Sequence, residues 1–376
     1  MRRMVAVLLV LLAAGLAATA GVCLRYLGSF EPPREGWEFQ GVPVGGISGL
    51  TLAPDGVFYA ISDDKGKHVN PPGVIYELAV DLDGTGIKDV RVVGIVRLKT
   101  PDGAPYGYGD IDGEDVLWTP EGFIVSSERD REGRPWIRRF SFSGEFLEEL
   151  PIPEVFQPAF QGDSQVRGTR NNLAFEATSI TPDYRRFYAM NEEALVQDGP
   201  LATPELGTPV RLVVYDLGDG PEVTGEYVYL TEPVFAAPPE GKFGDNGVAG
   251  MVYVGHIIPE LDLIVMERSY VSGAGNHIGL FGVKINDAQN VMAIESLADP
   301  GQKEPIVVLD KVPLLLISDD PSLTQVDFDP DNMEAITIGP RLRNGHYTLI
   351  IASDDNFNPK YQRNVFALFE IVPDGK

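Results

Sequence analysis

From about residue 35 onward, Val, Ile, Tyr and Phe alternate with polar residues over short stretches separated by Gly and Pro turns. A period of two is that of half-buried β-strands. One phrase recurs five times: an apolar strand, a Pro/Gly turn, and a second apolar strand that ends in acid. Its copies occupy residues 46–64, 113–130, 175–193, 248–269 and 332–356. Repetition on this scale predicts an array of supersecondary units. Further strand candidates follow the copies: 74–81 and 90–98, 136–142 and 145–150, and 210–217 and 224–230. After the fourth copy come 277–285, 292–297 and an extra segment at 306–317, and after the fifth only 364–372.

Four strands per unit around a ring predict an all-β fold, a β-propeller of five visible four-stranded blades. A sixth blade fits only if the long fourth unit hides one. The last unit lacks an outer strand, while residues 37–44 precede the first unit without a partner. This N-terminal strand is expected to complete the fifth sheet and close the ring, since an open array would expose sheet edges. The propeller is therefore read as residues 37–376, behind a linker at 21–36. Residues 151–170 and 232–247 are expected as loops over one face, with Phe156, Phe160, Phe235 and Phe243 pinning them down or lining a pocket.

The first residues read differently. Arg2 and Arg3 precede an apolar run over 4–24, and Ala18-Thr19-Ala20 offers a small-residue cleavage site. Residues 1–20 are read as a signal peptide for export to the periplasm or beyond or, uncleaved, as a membrane anchor reaching to about residue 24. Cys23 would suit a lipoprotein, but Val22 before it is large for a lipobox. As the single cysteine, it excludes a disulfide framework and thiolate zinc chemistry. His68, His256, His277 and His346 lack ligand spacing. A formal net charge of −25 argues against nucleic acid and anionic membranes as partners.

The acids gain meaning from the repeat. Innermost strands of a propeller run along its central channel, so equivalent positions converge on a ring. Glu114, Glu176 and Glu334 stand at the start of three units, with Ser48 and Gly250 near that place in the others. The next strands end in Asp63/Asp64, Glu128, Glu192/Glu193, Glu267 and Asp354/Asp355. Facing carboxylates repel and raise one another's pKa unless protons or a cation intervene. Calcium takes roughly six to eight oxygen ligands, and Asn171, Asn172, Asn332 and Asn356 add neutral oxygens beside the acids. Calcium is thus the expected cofactor, with Asp63, Glu114, Asn172, Glu176, Glu192, Asn332, Glu334 and Asp354 as expected ligands. The alternative is that the acids cap strand ends and pair with arginines such as Arg129 and Arg268.

Arg170-Asn171-Asn172-Leu173-Ala174-Phe175-Glu176, Asp331-Asn332-Met333-Glu334-Ala335 and Ser353-Asp354-Asp355-Asn356-Phe357-Asn358 resemble motifs of the phytase-like domain family, exported bacterial proteins labelled for esterase-like activity of phytase. Gly113-Glu114-Asp115 and Ser126-Ser127-Glu128 fit the same pattern, and the likeness covers about residues 41–372. Ala177 and Ala335 depart from it, standing where the family often has glycine. The resemblance implies a β-propeller that hydrolyses phosphate or carboxylic esters. It implies calcium bridging to an anionic substrate, Glu176 or Glu334 orienting the attacking water, and Arg129, Arg170, Arg268 and Lys360 contacting phosphate. Two readings stand beside it: a divalent-metal sugar-lactone hydrolase, and a non-catalytic calcium-stabilised propeller that binds a partner. Gly46-Ile47-Ser48-Gly49 is only part of a nucleophile elbow and lies in a strand, so a Ser/His/Asp hydrolase is not expected.

Overall fold

Each recurring phrase becomes the inner half of one antiparallel sheet. The computed structural model describes residues 21–373 except 286, 300, 302, 303 and 327, together with the backbone of Leu11–Leu12. Five four-stranded sheets form the blades of a propeller. Blade 1 comprises Ile47–Leu52, Phe58–Ser62, Val74–Asp83 and Gly86–Arg97. Blade 2 comprises Gly113–Thr119, Gly122–Ser127, Trp136–Phe140 and Phe146–Glu149. Blade 3 comprises Phe175–Ile180, Arg186–Asn191, Pro209–Asp216 and Glu222–Leu230. Blade 4 comprises Gly244–Tyr253, Leu263–Val271, Gly275–Lys284 and Asp310–Leu316. Blade 5 comprises Met333–Gly339, Thr348–Ser353, Phe366–Pro373 and, outermost, Val22–Phe30.

One apolar core fills each gap between blades. Ile61, Ile75, Val116, Phe123 and Trp136 join blades 1 and 2, and Leu117, Ile124, Phe175, Phe187 and Tyr215 join blades 2 and 3. The same holds between blades 3 and 4, 4 and 5, and 5 and 1. Middle strands are therefore covered on both faces, which is why Gly122–Ser127 is buried throughout although it contains two serines.

The ring is closed by an N-terminal strand, but a different one from that expected. Val22–Phe30 pairs antiparallel with Phe366–Pro373, from Val22 opposite Pro373 to Phe30 opposite Phe366. Residues 21–36 are thus largely part of the propeller and not a linker. In the sequence this strand merges into the apolar run over 4–24, which hides its start. Residues 37–44 instead make a two-residue hairpin, Glu38–Phe39 with Val42–Pro43, and Trp37 packs edge-on against Phe366. Residues 292–297 form no strand; Val291, Leu297, Ile306 and Val308 pack as a small cluster on Val228 of blade 3. The segment read as signal peptide or anchor lies, apart from Leu11–Leu12, outside the described residues. Among the described residues no helix is long and apolar enough to cross a membrane.

A β-bulge sits at the same place in every innermost strand. Pairing with the second strand skips one residue each time: Ser48, Glu114, Glu176, Ala249 and Glu334. A bulge frees one residue from the ladder and re-aims its side chain. Inner strands of successive blades also pack closely, and a Cβ on Gly49 would lie 2.5 Å from Asp115 Cα of the next blade.

Candidate metal centre

The bulges and the strand ends beside them build two stacked rings. The first carries Ser48, Glu114, Glu176, Ala249 and Glu334. Opposite each bulge the second strand places Ser62, Ser127, Asn191, Glu267 or Ser353, the strand ending there in every blade but the fourth, where it runs on to Val271. The residues one step further form the second ring: Asp63, Glu128, Glu192, Arg268 and Asp354. Blade 4 is the odd one in both rings, with Ala249 in place of the expected Gly250 and Arg268 in place of an acid. Glu267 points elsewhere, accepting from Tyr229 Oη at 2.5 Å and from Asn246 Nδ2 at 2.8 Å.

These rings open into a cavity of about 570 Å³. Asp63, Glu114, Asn172, Glu176, Glu192, Asn332 and Glu334 line it, so seven of the eight expected ligands meet there. Asp354 lies buried beneath, with Oδ2 unpartnered. Where acids come in pairs, the second anchors a loop. Asp64 accepts from the backbone N–H of Gly66, His68 and Val69, Glu193 from Ala202, and Asp355 from Gly46 and Phe357. Asn172, Asp331, Asn356 and Phe357 all take positive φ between 48 and 61°, so backbone strain gathers in the loops around this mouth.

One acid that the repeat did not single out completes the centre. Asp112 precedes the inner strand of blade 2; its Oδ2 takes Lys65 Nζ at 2.7 Å and Arg129 Nε at 3.2 Å. Its Oδ1 is buried without a partner, as is Oε2 of Glu128. Oxygens of Asp112, Glu114 and Glu128 lie within 4.8 Å of one another, and so do those of Glu128, Glu176 and Glu192. Glu128 is shared by both groups. The alternating acids of Asp110-Ile111-Asp112-Gly113-Glu114 were the available signal for Asp112.

Burial, reinforced by mutual repulsion, holds Asp63, Glu114, Glu176 and Asp354 well above the usual carboxylate range. Glu192 is raised by burial although Arg268 opposes the shift. Burial and the charge of Asp112 push Glu128 up to about 7. The bare site therefore holds protons, and buried unpartnered carboxylate oxygens are what an oxygen-seeking cation replaces them at. Its lining contains neither Cys nor His, which suits a hard cation.

The arginines sort differently from expectation. Arg268 donates to Asn332 Oδ1 at 2.5 Å and to Glu192 Oε1 at 3.2 Å, with Glu334 Oε1 at 3.6 Å. Burial works against its charge, but Glu334 and Glu192 hold it protonated. Neither Arg129 nor Arg268 pairs with the acid preceding it in sequence; Arg129 binds Asp112 and Asn171 at the rim. Arg170 donates to the carbonyls of Ala194 and Gly199, and Lys360 lies 4.6 Å from the Tyr361 ring. Of the four expected substrate contacts only Arg268 lines the cavity, joined there by the unforeseen Lys65. The amide oxygens of Asn172 and Asn332 are engaged by Lys65 and Arg268. Glu334 is engaged too, by Ser48 Oγ at 3.0 Å and Asn332 Nδ2 at 2.9 Å. Of the four loop phenylalanines, Phe156 is buried and stacked on Phe175, while Phe243 lines the mouth.

Comparison with known proteins adds the following. The family model described as Phytase-like, esterase-like activity of phytase, matches residues 42–357. An uncharacterized secreted protein of Arthroderma benhamiae is 23% identical over 284 residues, 64% of this chain; the chain spans about half (54%) of that relative's length. The PQQ-bound aldose sugar dehydrogenase of Streptomyces coelicolor aligns over 92% of this chain and 99% of its own, at 11% identity and a TM-score of 0.36. The periplasmic gluconolactonase PpgL of Pseudomonas aeruginosa aligns over 93% and 98%, at 10% identity and 0.36. Likeness at this level says nothing about the site or its reaction.

Proposed function

The chain belongs to the phytase-like family, and on that premise we propose that it is an exported, calcium-dependent hydrolase of phosphate or carboxylic esters acting at the acidic channel mouth. One observation carries the reading: two carboxylate groups share Glu128, and among the described residues Asp112 Oδ1 and Glu128 Oε2 are buried with no N–H or hydroxyl donor. Asp112, Glu114 and Glu128 would hold one calcium ion, and Glu128, Glu176 and Glu192 are the second group able to do so. Calcium there would neutralise the acids and polarise an ester oxygen. Lys65 from blade 1 and Arg268 from blade 4 give the cavity its positive charge for an anionic group. Glu176 is the candidate base for the attacking water with the ion held by the first group, because it lines the cavity and its group shares Glu128 with that one. Glu334, held by Ser48 and Asn332, is better placed to fix Arg268. The secreted relative and the Arg2-Arg3 apolar N-terminus support export.

A panel of phosphomonoesters, short-chain acyl esters and sugar lactones, assayed with calcium and with chelator, tests this. Turnover of a phosphate or acyl ester should need calcium and fall at least about 100-fold in Glu176→Gln, the range of a lost general base. Turnover that ignores both chelator and the substitution would overturn the reading, and turnover confined to lactones would move the reaction to that class.

A further inference from the structure

We propose that a second cavity, between blades 3 and 4, binds a small organic cation: a protonated or quaternary amine on an apolar, ring-sized body. This inference does not rest on the channel reading. The cavity measures about 600 Å³, a volume suited to such a ligand. The sheet of blade 4 separates it from the channel mouth. Glu267, Ser269 and His277 line the side cavity, while their chain neighbours Arg268, Tyr270 and Asn276 line the channel one, because successive strand residues face opposite sides.

The ammonium on the inner wall is already committed. Lys311 Nζ donates to Leu230 O and Glu267 Oε1 and forms an ion pair with Glu232 Oε1, each at 2.8 Å, so two carboxylates offset its charge. It also sits 4.4 Å from the Phe281 ring centre. Glu267 is equally committed, accepting from Tyr229, Lys311, Asn246 and the backbone N–H of Glu232.

The opening is the reverse: negative and unsatisfied. The side chains of Glu232 and Asp319 are 53% and 66% exposed. One oxygen of Glu232 meets Lys311 and one of Asp319 lies 3.3 Å from His277 Nε2; the second oxygen of each makes no bond among the described residues. Between them the wall is apolar, with Phe281, Pro313, Leu316 and Phe235, whose ring stacks on His277 at 5.2 Å and 15°. Aromatic faces flanked by free carboxylate oxygens, with no uncommitted cation, complement an ammonium group carried on a hydrophobic body.

Calorimetric titration of the full chain with benzyltrimethylammonium, with and without saturating calcium, tests the proposal. Phenylacetate and benzyl alcohol serve as anionic and neutral probes of the same body. The ammonium should bind one site about tenfold or more tighter than benzyl alcohol, phenylacetate should not compete for that site, and Asp319→Asn and Phe235→Ala should each weaken the ammonium about three- to tenfold. Three results would overturn it: equal binding of the neutral or anionic probe, ammonium binding abolished by calcium, or affinity untouched by both substitutions.

Discussion

Replacing Glu128 with glutamine removes the one carboxylate that both groups share. Burial and Asp112 push this acid up to about 7, against an ordinary value near 4.5. At about 1.4 kcal/mol per pKa unit, keeping it ionised in the bare site costs on the order of 3 kcal/mol. A cation entering at neutral pH must displace that proton, so apparent affinity changes about tenfold per pH unit for each proton released. Burial raises Glu114, Glu176 and Glu192 as well, so more than one proton is expected to leave. Calcium affinity should therefore fall at least about 100-fold from pH 7 to pH 5. In Glu128→Gln it should be weaker at pH 7 and its slope against pH shallower by about one proton. Calorimetry in buffers of different ionisation enthalpy counts the protons directly. Affinity flat across this range, or a wild-type slope in the variant, would falsify the argument.

Stability should show the same protons. In chelator, the unfolded chain loses the protons of Glu128 and Glu193 near pH 4 to 4.5, whereas burial keeps both protonated in the fold up to about 7. The folded state binds more protons in that window, so its melting temperature should fall as pH rises from about 4.5 to 7, and calcium should flatten the decline; a rise in chelator would contradict the shifts. Arg211, fully buried, binds Asp198 at 2.6 Å and Glu226 at 2.9 Å, so Arg211→Ala strands two buried acids and should cost about 3–5 kcal/mol in urea unfolding. Deleting residues 1–30 leaves Phe366–Pro373 as a bare edge, and size-exclusion chromatography should then find aggregates that a chain lacking only residues 1–20 does not form.

The blade count and the convergence of acids were legible because both follow from period: alternation defines strands, and the five-fold phrase aligns their ends. The details that eluded the pattern are one-residue effects. A bulge shifts register by one, so Gly250 and Glu267 look equivalent to ring residues in sequence, yet Ala249 and Arg268 take those places. Asp112 lies one residue outside its strand and was left beyond the repeat. The closing strand Val22–Phe30 is masked by composition, since the apolar run over 4–24 overlaps its first residues in the sequence. Arg170 and Lys360 looked like anion contacts only by charge. Where a long side chain ends depends on which loop carbonyl or ring it meets, and no local pattern encodes that.

The irregular blade gives the centre its direction. A ring with an acid from every blade would bind cations on the axis with no preferred side. Arg268 breaks this by drawing Glu192 and Glu334 toward blade 4, with Asn332 completing its hold. Carboxylate oxygens without partners are left at Asp112 and Glu128 in blade 2 and at Asp354 in blade 5, and the triads that include Glu128 lie in blades 2 and 3. Across the mouth, blade 4 and its loop present Phe243, Tyr270 and Asn276, the last with a buried unpartnered Oδ1. Cation demand and organic surface thus face each other over one cavity. The proposed hydrolysis would use this opposition, with the charged end of an ester fixed beside the acids and its other end against Phe243 and Tyr270.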